Sequence, residues 1–585
     1  MKGLHGRILH IDLSASRYWM ESMGDEIYQR YLGGKGLGVY LLRREVDPKT
    51  DPLGPGNKLI FALGPLNGTR MYGMSRYGVF AKSPLTGVFA ESYAGGHTAP
   101  AMKAAGYDAI ILHGQAPSPV FLEISDEEVK FHPAGDLWGK ETNAAEDALL
   151  AKVGVKGAQA IVIGPAGENQ VAFATIQNNY YRCAGRTGMG AVLGSKKVKG
   201  LVFHGKTPTI VAHPEDLEAY MKEIVEIGKD NVGVKNYKRY GTVQNVGPIN
   251  KVGAFPARYH RSGTSPHWER LTGEYLVDEM DAKPRACHRC FMACGKFSTV
   301  KKGRHKGLQI EGPEYETIYA FGGLCEIGEL EEVAYLNDIC NRLGLDTMTS
   351  GNLVALIMDG VDQGRLDYPL QYGDADGAAR LLQDIAYKRD LGEVLAKGIK
   401  TAAAELGLAD LAIHVKGMEP AAYDPRYLKG MALAYATSPR GACHLRATFY
   451  RPELVGLSPR NQIEGKAELF VEWEDRMVIQ DCLIMCRFFR DLIEWDGMAT
   501  LLKAVADLEL SKEDMRRRAA AIMDEIRLFN LAAGMVPEDD SLPERYFTEP
   551  LPPTGEVVPR EDFDRMIREY YQYRGWTPQG IPVGS

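Results

Sequence analysis

Cys287-His288-Arg289-Cys290-Phe291-Met292-Ala293-Cys294 packs three thiols into eight residues at the spacing C-x2-C-x3-C. Thiols this dense are reactive unless something binds them, and a chain with no sign of export does not hold them as disulfides. Thiolate is a soft ligand, so a soft metal centre is the expected occupant. A [4Fe-4S] cube takes four cysteines, and a local triplet with one distant partner is a common way to supply them. The distant candidates are Cys482 and Cys486, in Asp481-Cys482-Leu483-Ile484-Met485-Cys486. Structural zinc favours two pairs of ligands, and the chain has no second C-x2-C. The triplet therefore reads as three ligands of an iron–sulfur cluster.

The rest of the chain suits such a centre. Its 585 residues make about four domain-sized units, or one large enzyme fused around a single site. A hydrophobic content of 45% with 25% charged residues excludes a disordered or fibrous chain. A net charge of -7 gives no reason to expect nucleic acid or an anionic membrane as partner. Nine cysteines over this length do not make a disulfide scaffold. Met1 to Arg7 opens no apolar leader, and no apolar run is long enough to span a bilayer. A cytoplasmic protein is expected.

Residues 1–210 read as strands broken by glycine turns. Apolar runs recur at Arg7–Leu13, Lys58–Leu63, Tyr77–Phe80, Ala109–Leu112, Val120–Ile124 and Ala160–Ile163. Between them lie glycine-rich loops at Gly33–Gly38, Gly64–Gly68, Ala94–His97 and Ala184–Ala191. Glycine lets backbone N–H groups come close to a bulky or anionic ligand, so several such loops suggest a large cofactor. From Pro214 the pattern turns helical, with segments at Leu217–Ile227, Leu330–Leu343, Asn352–Met358, Gly377–Tyr387, Leu391–Glu405 and Lys512–Leu531. Gly344 suits a C-cap, and Asp346 can cap the helix that follows. No repeat stands out, and the proline-rich segment from Pro550 reads as loosely held.

A series of signatures then meets in one order: Gly33-Gly34-Lys35-Gly36-Leu37-Gly38, Gly64-Pro65-Leu66-Asn67-Gly68-Thr69, Ser75-Arg76 and Gly95-Gly96. Ile163-Gly164-Pro165, Ala184-Gly185-Arg186, the cysteine triplet, Glu311-Gly312-Pro313-Glu314-Tyr315-Glu316 and Arg440-Gly441-Ala442-Cys443-His444 follow. With these the chain resembles the tungsten-dependent aldehyde:ferredoxin oxidoreductases over nearly its whole length. The resemblance implies an α+β fold: an N-terminal double β-sheet domain (1–210) that cradles the cofactor, then two mainly helical domains (211–416 and 417–585). It implies a bis-pterin tungsten centre (or molybdenum, since pterin dithiolenes bind the metal), a [4Fe-4S] cluster and a magnesium joining the pterin phosphates. Two D-x-x-G-L-[DC] motifs hold the pterins in the family. The first resembles Asn341 to Asp346, through Gly344 and Leu345, with asparagine leading. The second is Asp481 to Cys486, where Ile484-Met485 replaces Gly-Leu, so the turn glycine is missing. The match makes Cys486 the fourth cluster ligand, beside Cys287, Cys290 and Cys294. Arg76 resembles an arginine that bridges cluster and pterin, which a planar guanidinium can do by donating to both. Tyr93 and Cys183 lie where backbone carbonyls reach the magnesium, and Gly95, Ala184, Gly185, Arg186, Arg446 and Met485 complete the expected cofactor contacts.

The chemistry implied is oxidation of an aldehyde by water to a carboxylic acid, with electrons passing through the cluster to ferredoxin or a small polyferredoxin subunit. A homo- or hetero-oligomer is expected. Such chemistry needs a carboxylate to take a proton and an imidazole to polarise a carbonyl. Glu314 and His444 are the candidates, with Glu311 and Glu316 close enough to compete; His288 and His305 read as structural or surface residues. A tungsten benzoyl-CoA reductase subunit is the alternative activity.

Overall fold

The computed structural model describes residues 1–552 and 554–583. The apolar runs and turns up to residue 203 build twelve strands in two six-stranded sheets. The first sheet holds β1 (Arg7–Asp12), β2 (Arg17–Ser22), β3 (Leu59–Ala62), β4 (Tyr77–Lys82), β5 (Phe89–Ala94) and β6 (Ala109–His113). The second holds β7 (Val120–Ile124), β8 (Val129–Pro133), β9 (Gln159–Val162), β10 (Ile176–Asn178), β11 (Arg182–Ala184) and β12 (Val198–Phe203). Their strand orders are β2-β1-β6-β3-β4-β5 and β8-β7-β12-β9-β10-β11. Adding six to each strand of the first sheet gives the second. The pairings agree in sense as well: β1–β6 and β7–β12 are parallel, and the other pairs are antiparallel. Residues 7–203 are thus an internal duplication, where the sequence alone suggested no repeat.

The duplication explains the glycine loops. Leu63-Gly64-Pro65 leaves β3 and Ile163-Gly164-Pro165 leaves β9 at the same place in each half. A Cβ on Gly64 would lie 2.8 Å from the Leu483 carbonyl carbon, and one on Gly164 would lie 2.5 Å from the Leu343 oxygen. Each half therefore uses a side-chain-free residue to seat the C-terminal turn of one helix, Leu330–Leu343 or Lys466–Cys482. These two glycines give access to protein backbone, not directly to a ligand.

Helices dominate after Pro214, but the cysteine triplet does not sit on one. β13 (Lys283–Arg285), β14 (Gly295–Thr299) and β15 (Gln309–Glu311) form a small antiparallel sheet. The triplet loop enters β14 directly, and β15 leads into the Glu311–Glu316 run, so one sheet positions both features. Two sequence expectations need correction. Leu391–Glu405 is two helices, Leu391–Leu395 and Ile399–Glu405, broken at Gly398 with φ +86°. The segment after Pro550 is not loose as a whole: Arg560–Arg574 is a helix that buries Phe563, Met566 and Tyr570, although Pro553 lies outside the described residues. Among the described residues no helix is long and apolar enough to cross a membrane.

Candidate active site

Cys287, Cys290, Cys294 and Cys486 line one cavity of about 350 Å³ between the triplet loop and the turn after Cys482. Positive φ at Arg289 (+51°) and Ala293 (+45°) folds the loop back on itself. Gly96 N donates to Cys287 Sγ at 3.3 Å, and a Cβ on Gly95 would approach that sulfur to 3.1 Å. Cys486 N donates to Gly73 O at 2.9 Å, which fixes the fourth thiol from the other side. Cys482 is fully buried in the apolar core instead, beneath the helix Gly34–Glu45. Burial, with Cys486 and Cys287 alongside, pushes the Cys290 thiol up to about 12. Burial likewise carries Cys294 well above its ordinary value. Thiols held this way need a bound cation to stay ionised. Among the described residues no three His, Cys, Asp or Glu side chains are close enough to hold a single metal ion. A zinc ion draws its ligands to one point at roughly 2.3 Å, whereas an iron–sulfur cube spreads four thiolates around a cage. The four residues fit the cube.

Next to this cavity, the duplicated halves meet. β11 packs against β5, bringing Cys183-Ala184-Gly185 beside Tyr93-Ala94-Gly95, the same x-Ala-Gly at the same strand end of each repeat. Arg76 Nη1 donates to Met485 O at 3.3 Å, and Arg76 and Arg446 each lie 5.2 Å from the Tyr93 ring centre. Tyr93 Oη donates to Glu91 at 2.6 Å. Although burial opposes it, Arg446, Lys35 and Arg440 hold the Glu91 carboxyl well below the usual carboxylate range. Asp481 Oδ2 accepts from Arg446 at 2.8 Å and Arg487 at 2.5 Å. On the other motif, Arg186 donates to Asp346 at 3.2 Å and to Glu419 at 2.6 Å, while Asp346 caps the helix Thr347–Asp362 through Met348 N and Thr349 N. Asp481 Oδ1, Arg440 Nε and Arg446 Nε are buried without a protein partner. Buried donors and acceptors are costly unless satisfied, so this set fits a polar heterocyclic group between the two motifs.

The two motifs keep one backbone form despite their different sequences. Gly344 has φ +79° and Ile484 has φ +57°. Leu345 N donates to Cys340 O, and Met485 N to Gln480 O, both at 2.8 Å. Ile484 thus adopts the left-handed conformation expected of a glycine. Its side chain lies against Gly34, whose own φ is +42°; an added Cβ there would sit 2.3 Å from Asp481 O and 2.7 Å from Ile484 Cδ1. Gly34→Ala is expected to destabilise the protein by at least ~2 kcal/mol, read as a lower Tm than for the control Gly139→Ala, whose glycine also has positive φ (+90°) but has nothing within 4 Å of an added Cβ. Equal melting of Gly34→Ala and wild type would remove the packing argument.

The three acids of the Glu311–Glu316 run go to different partners. Glu311 pairs with Arg182, Glu314 accepts from Thr242 Oγ1, and Glu316 Oε1 lies 3.4 Å from His444 Nε2. Glu316 Oε2 also accepts from Ala422 N at 2.9 Å. Burial raises the Glu316 carboxyl to about 8. Burial, with Arg186, Arg440, Arg446 and Arg490 nearby, lowers His444 well below the ordinary imidazole value. At neutral pH both groups are therefore uncharged. Glu316, His444, Asn341, Leu345 and Arg186 line a second cavity of about 360 Å³, and Glu314 lines both. Cys443 escaped the sequence reading, although it stands inside a quoted run. Its sulfur accepts from Arg440 at 3.0 Å and from Leu445 N at 3.3 Å. Burial would raise its thiol, but Arg440 and Arg446 outweigh that and hold it at about 7. Glu91 was missed as well, having no motif around it, and so was Arg487, one residue past the Asp481–Cys486 run.

Residues 8–205 match the family described as "Aldehyde ferredoxin oxidoreductase, N-terminal domain" and residues 219–585 match its "domains 2 & 3". The chain is 35% identical to the tungsten-containing aldehyde ferredoxin oxidoreductase of Thermococcus kodakarensis, over 99% of this chain and 97% of that one. It is 34% identical to the Pyrococcus furiosus enzyme of the same name, with the same coverage. The solved active-site complex of benzoyl coenzyme A reductase with a dienoyl-CoA has the same fold, at a TM-score of 0.85 and 23% identity, over 99% of this chain and 96% of that one. The chain belongs to the aldehyde ferredoxin oxidoreductase family, a family of oxidoreductases.

Proposed function

We propose that the protein oxidises aldehydes with water to carboxylic acids, releasing two protons to solvent per turnover and passing two electrons, one at a time, to ferredoxin or a ferredoxin-like subunit. The observation that carries this reading is the Glu316–His444 pair at 3.4 Å, in a cavity whose lining is shared in part with the four-thiol cavity. When bound, a tungsten bis-pterin centre would supply the two-electron acceptor and a [4Fe-4S] cluster the one-electron outlet. Cys287, Cys290, Cys294 and Cys486 would hold the cluster. Asp481, Arg446, Asn341, Asp346 and Arg186 would orient the pterins, and the carbonyls of Tyr93 and Cys183 would reach a magnesium between their phosphates. Arg76, between Met485 and Cys486, would join cluster and pterin.

The chain's own part is proton handling. His444 can donate to or orient the aldehyde oxygen, and Glu316 as carboxylate can take the proton from the attacking water. The sequence expectation gave that second role to Glu314; the contact with Thr242 and the separation of Glu316 from His444 favour Glu316. Because burial holds the Glu316 proton up to about pH 8, the competent carboxylate grows as pH rises. Turnover is expected to climb from pH 6 and level off above about 8. Glu316→Gln should flatten that profile, and a wild-type profile already flat from about pH 6 to 9 would remove Glu316 from the step.

The activity itself is tested on purified protein with an aldehyde panel and, alongside, with an aromatic CoA thioester under reducing conditions. Aldehyde oxidation with a viologen or ferredoxin acceptor, and tungsten and iron in a roughly one-to-four ratio by elemental analysis, is the expected result. Thioester reduction without aldehyde oxidation would overturn it.

A further inference from the structure

The proton chemistry makes no use of a set of aromatic rings that lines one part of the cavity around His444. Tyr423 and Tyr450 stack with their centroids 4.0 Å apart and their planes at 9°. Their centroids lie 5.7 and 6.1 Å from that of His444. A second stack pairs Tyr237 with Phe488, 4.4 Å apart at 29°. Tyr315 stands 5.6 Å from Tyr423. All five line the cavity that holds Glu316 and His444. They come from separate parts of the chain: Tyr237 from the helix Val232–Tyr240, Phe488 from the turn Arg487–Phe489, Tyr450 from the start of Tyr450–Leu454. Local sequence therefore does not explain their convergence.

The hydroxyls of Tyr315 and Tyr423 already have protein partners. Tyr315 Oη donates to Ala422 O at 2.8 Å, and Tyr423 Oη accepts from Asn245 at 3.3 Å. What the inner part of the wall offers a ligand is ring surface. Tyr237 and Phe488 are only half-buried, so the second stack forms the rim, and Tyr423 with Tyr450 forms the inner pair. A flat π-ligand gains from edge and offset-face contacts with such rings beyond the area it buries, whereas a puckered saturated ring of similar size gains the area alone.

We infer that the substrates preferred at this site are aromatic aldehydes, recognised by the Tyr423–Tyr450 and Tyr237–Phe488 stacks. The inference rests on the reading of the site as an aldehyde oxidase. Two measurements on the holoenzyme separate the failure of one from the failure of the other. The first is equilibrium binding of benzoate against cyclohexanecarboxylate; the second is kcat/KM for benzaldehyde against cyclohexanecarbaldehyde. Benzoate should bind about three- to tenfold more tightly, and benzaldehyde should be preferred by at least that factor. Tyr237→Leu, at the half-buried rim, and Tyr450→Leu, in the inner stack, should each bring the binding ratio toward one while tungsten and iron stay bound. A ratio of one or less in the wild type, or a ratio that both variants leave unchanged, overturns the inference. Preferential benzoate binding by an enzyme that oxidises neither aldehyde keeps the aromatic site and sinks the aldehyde reading instead.

Discussion

Alanine in place of any one of Cys287, Cys290, Cys294 or Cys486 is expected to strip the protein of most of its iron, while Cys482→Ala keeps it. The four thiols surround one cavity and push one another's protons on: Cys290 sits at about 12 through burial first and its neighbouring thiols second. Without iron the raised Cys290 and Cys294 thiols keep their protons, so those thiolates exist only by virtue of the cluster they bind. Removing one leaves an iron that solvent cannot ligate equally well, in a site whose remaining thiols readily take protons back. Cys482 is the last residue of the helix Lys466–Cys482 and faces the other way from Cys486, fully buried beneath the helix Gly34–Glu45. Its loss should cost on the order of 1 kcal/mol in packing and no iron. Iron per chain, with the visible absorbance of the cluster, reads the result directly. Full iron in Cys486→Ala with loss in Cys482→Ala would move the fourth ligand, and zinc without iron in the wild-type protein would replace the cube altogether.

The contrast between those two cysteines shows where sequence reasoning has reach. Spacing alone identified a triplet and left Cys482 and Cys486 open, because both stand at the end of the same helix and only the turn at Ile484 separates their directions. Elements with a clean apolar stripe were legible: Leu330–Leu343 was bounded correctly by its period and by Gly344. The helix Lys466–Cys482 was not, because it buries Glu474, Asp475, Arg476, Gln480 and Asp481 along with its apolar residues and so carries no polar face to set a period. β2 hid for the opposite reason, since Tyr18, Trp19 and Met20 are exposed and the strand shows no inward alternation.

The duplication was harder still. Two sheets of equal connectivity need only equivalent burial, which many residues satisfy, so sequence likeness survives where geometry is strict. Those places are the Gly-Pro after β3 and β9, where backbone meets backbone, and the x-Ala-Gly at the ends of β5 and β11, where the halves meet. Both lie at the proposed cofactor cradle. The pairing of one motif turn with each half follows from that: Asp481–Cys486 rests on the Gly34 and Gly64 side, Asn341–Asp346 on the Gly164 side. An amide leads one motif and a carboxylate, tied to two arginines, leads the other, so the two halves present unlike charges to the group between them.

His444→Ala and Glu316→Gln are expected to lose on the order of 10²- to 10⁴-fold in turnover, the usual worth of a positioned acid or base, with tungsten and iron retained. Glu314→Gln is expected to stay within about tenfold, because its carboxyl is engaged by Thr242. The distinction is geometric. Glu314 is the N-cap of the helix Tyr315–Thr317, with extended backbone, whereas Glu316 lies inside that helix, so the chain changes direction between the two side chains. One acid therefore faces Thr242 while the other faces His444, and an E-x-E pattern gives no clue to which. Glutamine keeps the size of Glu316 and its bond from Ala422 N and removes only the basicity, so retained metal excludes a folding defect. The pH arm adds a check that a structural role would not satisfy: the rise in rate toward about 8 should vanish in Glu316→Gln and persist in Glu314→Gln. A dead Glu314→Gln beside an active Glu316→Gln would return the base to Glu314. If both stay active, the water must lose its proton without a carboxylate, and His444 alone, neutral and held among four arginines, would remain as the polarising group.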